Sequence, residues 1–198
     1  MQTRGRCQKR SCGHTVLPLT VPVNQMDRID FSCEIRGAVF DIGDCERFLH
    51  ALRTIASDTG TTIICFNADN LAGKRHAEAA LRHALRSWKA GTLIANSPEM
   101  EALLYASGSR QCSVASSFGV HAGKNRAYVC CCPACEGVWE ALTPLVRFAD
   151  GDWEDITPER RARLKELFSI SDEEIATAGE SRLADLVLER VALLEVYR

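Results

Sequence analysis

The sequence predicts a single α+β domain, and three observations carry that reading. Three short apolar runs, residues 33–40, 61–66 and 127–132, have the composition of strands. Longer stretches with apolar residues at helical spacing lie between them and fill the chain after Thr157. The 198 residues, 46% hydrophobic and 25% charged, suit one packed core.

The elements follow in order. Residues 1–28 carry Pro18, Pro22 and scattered bases without a sustained period; they are expected to form an extension, with the domain spanning 29–198. A strand over 33–40 leads to Asp44, which can cap a helix with Phe48, Leu49, Leu52, Ile55 and Ala56 on its apolar face and Gly60 at its end. Residues 61–66 are nearly continuous in apolar and β-branched side chains, as in a strand buried on both faces. The turn formers Asn67-Ala68-Asp69-Asn70 close it.

A long helix is expected over 71–89, stopped by Gly91. Ala77, Ala80, Leu81, Ala84, Leu85 and Trp88 share one side of it, while Arg75, Arg82, Arg86 and Lys89 share the other within roughly a 60° sector. His76 and His83 fall at the seam. Ser97-Pro98 opens the next helix, with Glu99 and Glu101 suited to its dipole and Gly108 its stop. A short helix over 111–118, a strand over 127–132 and a helix over 135–146 follow. Thr157-Pro158 starts a further helix, and Ser171 to Glu174 reads as a capping box before Gly179. The last helix, 182–197, is apolar nearly all round, with a polar strip of Asp185, Glu189 and Glu195. Either it lies across the core or a partner covers the remainder.

The net charge of −2 excludes a globally basic nucleic-acid binder. It conceals a basic N-terminal part and middle and an acidic stretch from Asp150 onward, which suggests partners of opposite charge preference. The basic start is followed by a stretch too short and proline-broken for a signal peptide, and nothing resembles a membrane span. Ten cysteines in such a chain point to a reducing intracellular, cytoplasmic setting in which they act mostly as small buried apolar groups.

Candidate chemistry is sparse. Cys132-Pro133-Ala134-Cys135 offers half of a tetrahedral zinc site, with Cys7, Cys12 or His14 as the remainder; a zinc-binding module on Cys132 and Cys135 is the alternative reading of the chain. The bland reading of these cysteines is structural, and no metal or cofactor is expected. Gly73-Lys74 lacks the first glycine and the Ser/Thr of a phosphate loop. His76 and His83 have no nucleophile placed near them, so hydrogen-bonded structural groups are the simpler reading and base stacking the next. The Arg75, Arg82, Arg86, Lys89 stripe has few interleaved acids, which favours phosphate contact over a merely solvated face.

A set of motifs in fixed order then carries a family resemblance: Asn67-Ala68-Asp69, Ala72-Gly73-Lys74 with His76, His83-Ala84, Ile94-Ala95-Asn96, Leu103-Leu104-Tyr105 with Ser107-Gly108 and Arg110-Gln111, and the closing run from Leu186 to Leu194. From about Ile29 to Tyr197 the chain resembles the kinase-binding subunit of the KEOPS (EKC) complex, the PRPK-binding protein or TPRKB family, in its archaeal type. The resemblance implies a small mixed or antiparallel sheet packed with helices and no catalytic activity. It implies a subunit that binds and activates the atypical kinase/ATPase through its N-lobe and holds the 3′ CCA end of tRNA. The complex installs N6-threonylcarbamoyladenosine (t6A). Carried over by position, Leu183, Leu186, Val187, Val191 and Leu194 would meet the kinase, so Leu194→Glu is expected to abolish kinase binding in a folded monomer. Lys74, His76, Arg82, His83, Arg86 and Arg110 would serve the tRNA. Arg75 stands where the family commonly carries an acid.

Overall fold

The computed structural model describes residues 32–149, 151 and 153–196. The expected extension, 1–28, with its Cys7, Cys12 and His14, lies outside them, as do Tyr197 and the acids Asp150 and Asp152. Four strands form one sheet: β1 (Glu34–Ile42), β2 (Thr62–Asn67), β3 (Gly123–Cys132) and β4 (Arg147–Phe148), in the order β2-β3-β1-β4. Every neighbouring pair is antiparallel, with Glu34 opposite Cys131 and Thr62 opposite Cys132. The fold is α+β, with an antiparallel sheet.

Helices cover both faces. α1 (Cys45–Thr59) and α5 (Glu136–Leu142) seal one, packing Phe48, Leu52, Val138, Trp139 and Leu142 on Ile63, Val129 and Cys131. α2 (Lys74–Ala90), α3 (Pro98–Ser107), α6 (Pro158–Leu167), α7 (Asp172–Ala178) and α8 (Leu183–Val196) cover the other, over Ile64, Phe66, Tyr128 and Cys130. Two covered faces explain why β2 and the end of β3 are apolar without alternation. A short α4 (Cys112–Ala115) with a 3-10 turn after it occupies the stretch expected to be one short helix.

Most ends stop where local chemistry predicts. Asp44, Ser97, Thr157 and Ser171 accept from the amides of Arg47, Met100, Arg160 and Glu174, and Ser171 and Glu174 complete the capping box. Gly60, Gly91 and Gly108 take the left-handed conformation after α1, α2 and α3. Three expectations need correction. α2 begins at Lys74 instead of residue 71, because Ala68–Asn70 forms a 3-10 turn that uses up the preceding residues. The helix expected over 135–146 ends at Leu142, and the chain turns to place Arg147 and Phe148 beside Val39 and Ala38 as β4. Glu101 is fully buried, and its carboxylate accepts from the amides of Ile94 and Ala95, both at 2.8 Å; it ties down the α2–α3 loop as well as lying in the first turn of α3.

Candidate nucleic-acid groove and docking helix

The turn before α2 is built by side chains recruited from far along the chain. Arg160 donates to the carbonyls of Leu71 (2.9 Å), Ala68 (3.0 Å) and Trp153 (2.6 Å). Gly73 provides no capping side chain, and Glu154 takes that place, accepting from the Lys74 amide at 2.9 Å. Gly73 has φ +98, and a Cβ there would collide with the Glu154 carboxylate. These contacts fix where α2 starts and therefore where its cations point.

Along α2, Lys74, Glu78, Leu81, Arg82, Leu85, Arg86 and Lys89 form one wall of a groove of about 710 Å³, and Cys33, Glu34 and Ile35 at the start of β1 form the other. Leu85 gives it half-buried apolar surface, Leu81 and Ile35 belong to the buried core, and the four bases share the groove with two acids, Glu34 and Glu78. Glu34 is already engaged: it accepts from Arg36 Nε at 2.7 Å and Trp139 Nε1 at 2.9 Å, and the Arg36 bond above all holds its carboxyl below its ordinary pKa. The groove suits an anionic ligand with a flat apolar part, the chemistry of a single-stranded nucleic-acid end.

Of the residues expected to serve such a ligand, Lys74, Arg82 and Arg86 come together here, with Lys89 beside them. Arg75 is exposed and Arg110 lies beyond the end of α3; neither lines the groove. His76 is fully buried and needs correction as a nucleic-acid contact. Its Nδ1 accepts from the Ala72 amide (3.1 Å), its Nε2 donates to the Ala106 carbonyl (2.9 Å), and burial pushes its pKa down to about 4. His83 is half-buried, stacked on Tyr105 with ring centroids 5.2 Å apart, and its Nδ1 lies 2.5 Å from Glu195 Oε2. Burial lowers its pKa, and the Glu195 hydrogen bond partly restores it. Arg86 Nη1 lies 3.7 Å from the same Glu195 oxygen. The β1 wall escapes sequence reasoning because it is about forty residues from α2. The α2 wall is marked by its spacing of three and four.

The docking expectation also needs correction. Leu183, Val187, Val191 and Leu194 are at most 5% exposed and belong to the main core, so they are not available to a partner. Leu186 is half-buried at the edge of that core. Leu193 is half-buried and Val196 is 73% exposed, both outside the two core clusters. Leu186, Leu193 and Val196 share a face of α8 within about 80°.

Among the described residues the cysteine pair is not arranged as a zinc site. Cys132 is disulfide-bonded to Cys33, on the opposite strand, and Cys135 is a free, exposed thiol. Among the described residues no group of three or more potential ligands could hold a metal ion, and no helix is long and apolar enough to cross a membrane.

A sheet covered on both faces, with a basic groove on one side, defines a binding architecture. A family model described as "Kinase binding protein CGI-121" matches residues 44–195. The chain belongs to that kinase-binding family, the one its motifs resemble. No individual curated protein matches it significantly.

Proposed function

We propose that this protein is the non-catalytic kinase-binding subunit of a KEOPS complex acting in tRNA t6A modification in the cytoplasm. It binds and activates the atypical kinase through α8 and holds the 3′ CCA end of tRNA in the basic groove. The family supports the kinase partner. The observation that carries the tRNA part is the convergence of Lys74, Arg82, Arg86 and Lys89 on one groove with apolar surface. Phosphate contacts place the strand, and the half-buried Leu85 offers apolar surface to a terminal base. On α8 the contact falls to Leu186, Leu193 and Val196.

The test is tRNA affinity of the Lys74→Glu, Arg82→Glu double variant, measured against salt with intact tRNA and with tRNA lacking its 3′ tail. Loss of two phosphate contacts lowers the slope of log affinity against log salt by about 2 and makes removal of the tail nearly neutral. Unchanged affinity for intact tRNA refutes the groove.

A further inference from the structure

We propose that Cys33 and Cys132 form a thiol–disulfide switch in the wall of the basic groove, whose redox state sets how tightly the groove holds nucleic acid; this rests on the groove being the nucleic-acid site. The bond joins the residue before β1 to the last residue of β3, 99 positions apart in sequence. Their Cα atoms are 4.5 Å apart, the spacing of a directly opposed, non-hydrogen-bonded pair in an antiparallel ladder. The pair therefore continues the β1–β3 ladder one step past Glu34 and Cys131.

Position gives the bond its consequence. Cys33, Glu34 and Ile35 are the whole β1 side of the groove. Ala77, Ala80, Leu81 and Ala84 seat the α2 side on the core, and Ile35 seats the β1 side on the same core; Cys33 only packs against its edge, so the part of the wall free to give is the strand end at Cys33. Upstream of Glu34, the disulfide acts with one backbone bond among the described residues, from the Ala134 amide to the Ser32 carbonyl at 2.8 Å. The other end of this corner is independently held, since Thr61 donates to the Pro133 carbonyl at 2.6 Å. Breaking the disulfide thus loosens Cys33 and leaves β3 in place. A wall fixed before binding holds its ligand more tightly than one that must be ordered by it.

Access decides the chemistry. Cys33 is half-buried and opens on the groove, whereas Cys132 is 3% exposed. A low-molecular-weight thiolate attacks the Cys33 sulfur, forming a mixed disulfide and expelling Cys132 as a thiolate that takes up a proton. A second thiolate attacks the small molecule's sulfur in that mixed disulfide, releasing Cys33 and a low-molecular-weight disulfide. Two electrons pass to the protein, and the reverse sequence with a disulfide oxidant restores the bond.

The test equilibrates the full chain in reduced and oxidised glutathione at several ratios. Alkylation with mass mapping reads the state of each cysteine, and affinity for a tRNA transcript ending in CCA is measured in parallel. The expected result is reversible, coupled titration of Cys33 and Cys132, with affinity about fivefold weaker in the reduced form. Cys33→Ser should bind at the reduced level at every ratio. The inference is overturned if the two cysteines stay free, if Cys132 pairs with Cys135, or if the bond titrates while affinity stays constant. Absence of tRNA binding in both states fails the proposed function, and the inference with it; equal binding in both fails the inference alone.

Discussion

At the scale of single residues, His76 has its two ring nitrogens committed to backbone groups of the turn before α2 and of α3, with no water-facing side. Protonation would turn the Nδ1 acceptor into a donor facing the Ala72 amide, so the neutral ring is part of the fold. The folded pKa of about 4 lies below the ordinary 6.5, and the unfolded chain binds the extra proton in between. Stability is therefore complete above about pH 6.5 and falls as pH drops towards 4, by on the order of 3 kcal/mol from this residue. Urea unfolding of the wild type and of His76→Gln across that range measures it. The variant is less stable at neutral pH and has the shallower pH dependence; parallel curves refute the assignment. Arg160 and Glu101 are the other polar groups that build the fold, each spending its charge on backbone partners.

At the scale of elements, α2 depends on an acceptor it does not own. Glu154, 80 residues downstream, replaces the missing N-cap and brings negative charge to the positive end of the helix. Gly73→Ala combines a positive φ with a collision against that carboxylate, and is expected to lower stability by about 2 kcal/mol. Glu154→Gln keeps an acceptor and loses the charge, at a cost of about 0.5 kcal/mol. Thermal unfolding orders the two, and a Gly73→Ala protein as stable as the wild type excludes this account of the cap. α8 has a similar dependence on α3. A Cβ at Gly108 would stand 3.3 Å from the Arg190 carbonyl, so the residue that ends α3 also sets how closely α8 approaches.

At the scale of the whole molecule, α2 joins the two proposed functions. Its outer side forms the groove, while His83 and Arg86 meet Glu195, next to Leu194, and hold the end of α8. The burial of α8 changes which substitution separates docking from folding. Leu194→Glu would place a carboxylate in the main core and destabilise the monomer by about 3 kcal/mol or more. Leu193→Glu with Val196→Glu is expected to leave the monomer within about 1 kcal/mol of wild type and to abolish co-purification with the kinase. A folded double variant that still captures the kinase would refute the α8 face.

The sequence by itself determined most of the helices and most of their ends, the start of α2 and the end of α5 excepted, because Asp44, Ser97, Ser171 and the left-handed glycines act within a few residues of where they stand. It also determined part of the cationic row: Arg82, Arg86 and Lys89 follow from helical spacing, whereas Arg75 of the expected stripe lies off the groove and Lys74 lines it instead. The motifs carried the family. Tertiary structure alone decided that β4 exists, since Arg147 and Phe148 have no pattern and become a strand only beside β1. It decided that Cys132 faces Cys33 across a ladder instead of Cys135 across a metal, that His76 is interior, and that one stripe of α8 is already used. The reason is common to all four. A side chain's freedom to meet a partner depends on which distant segment covers it, and no local pattern records that.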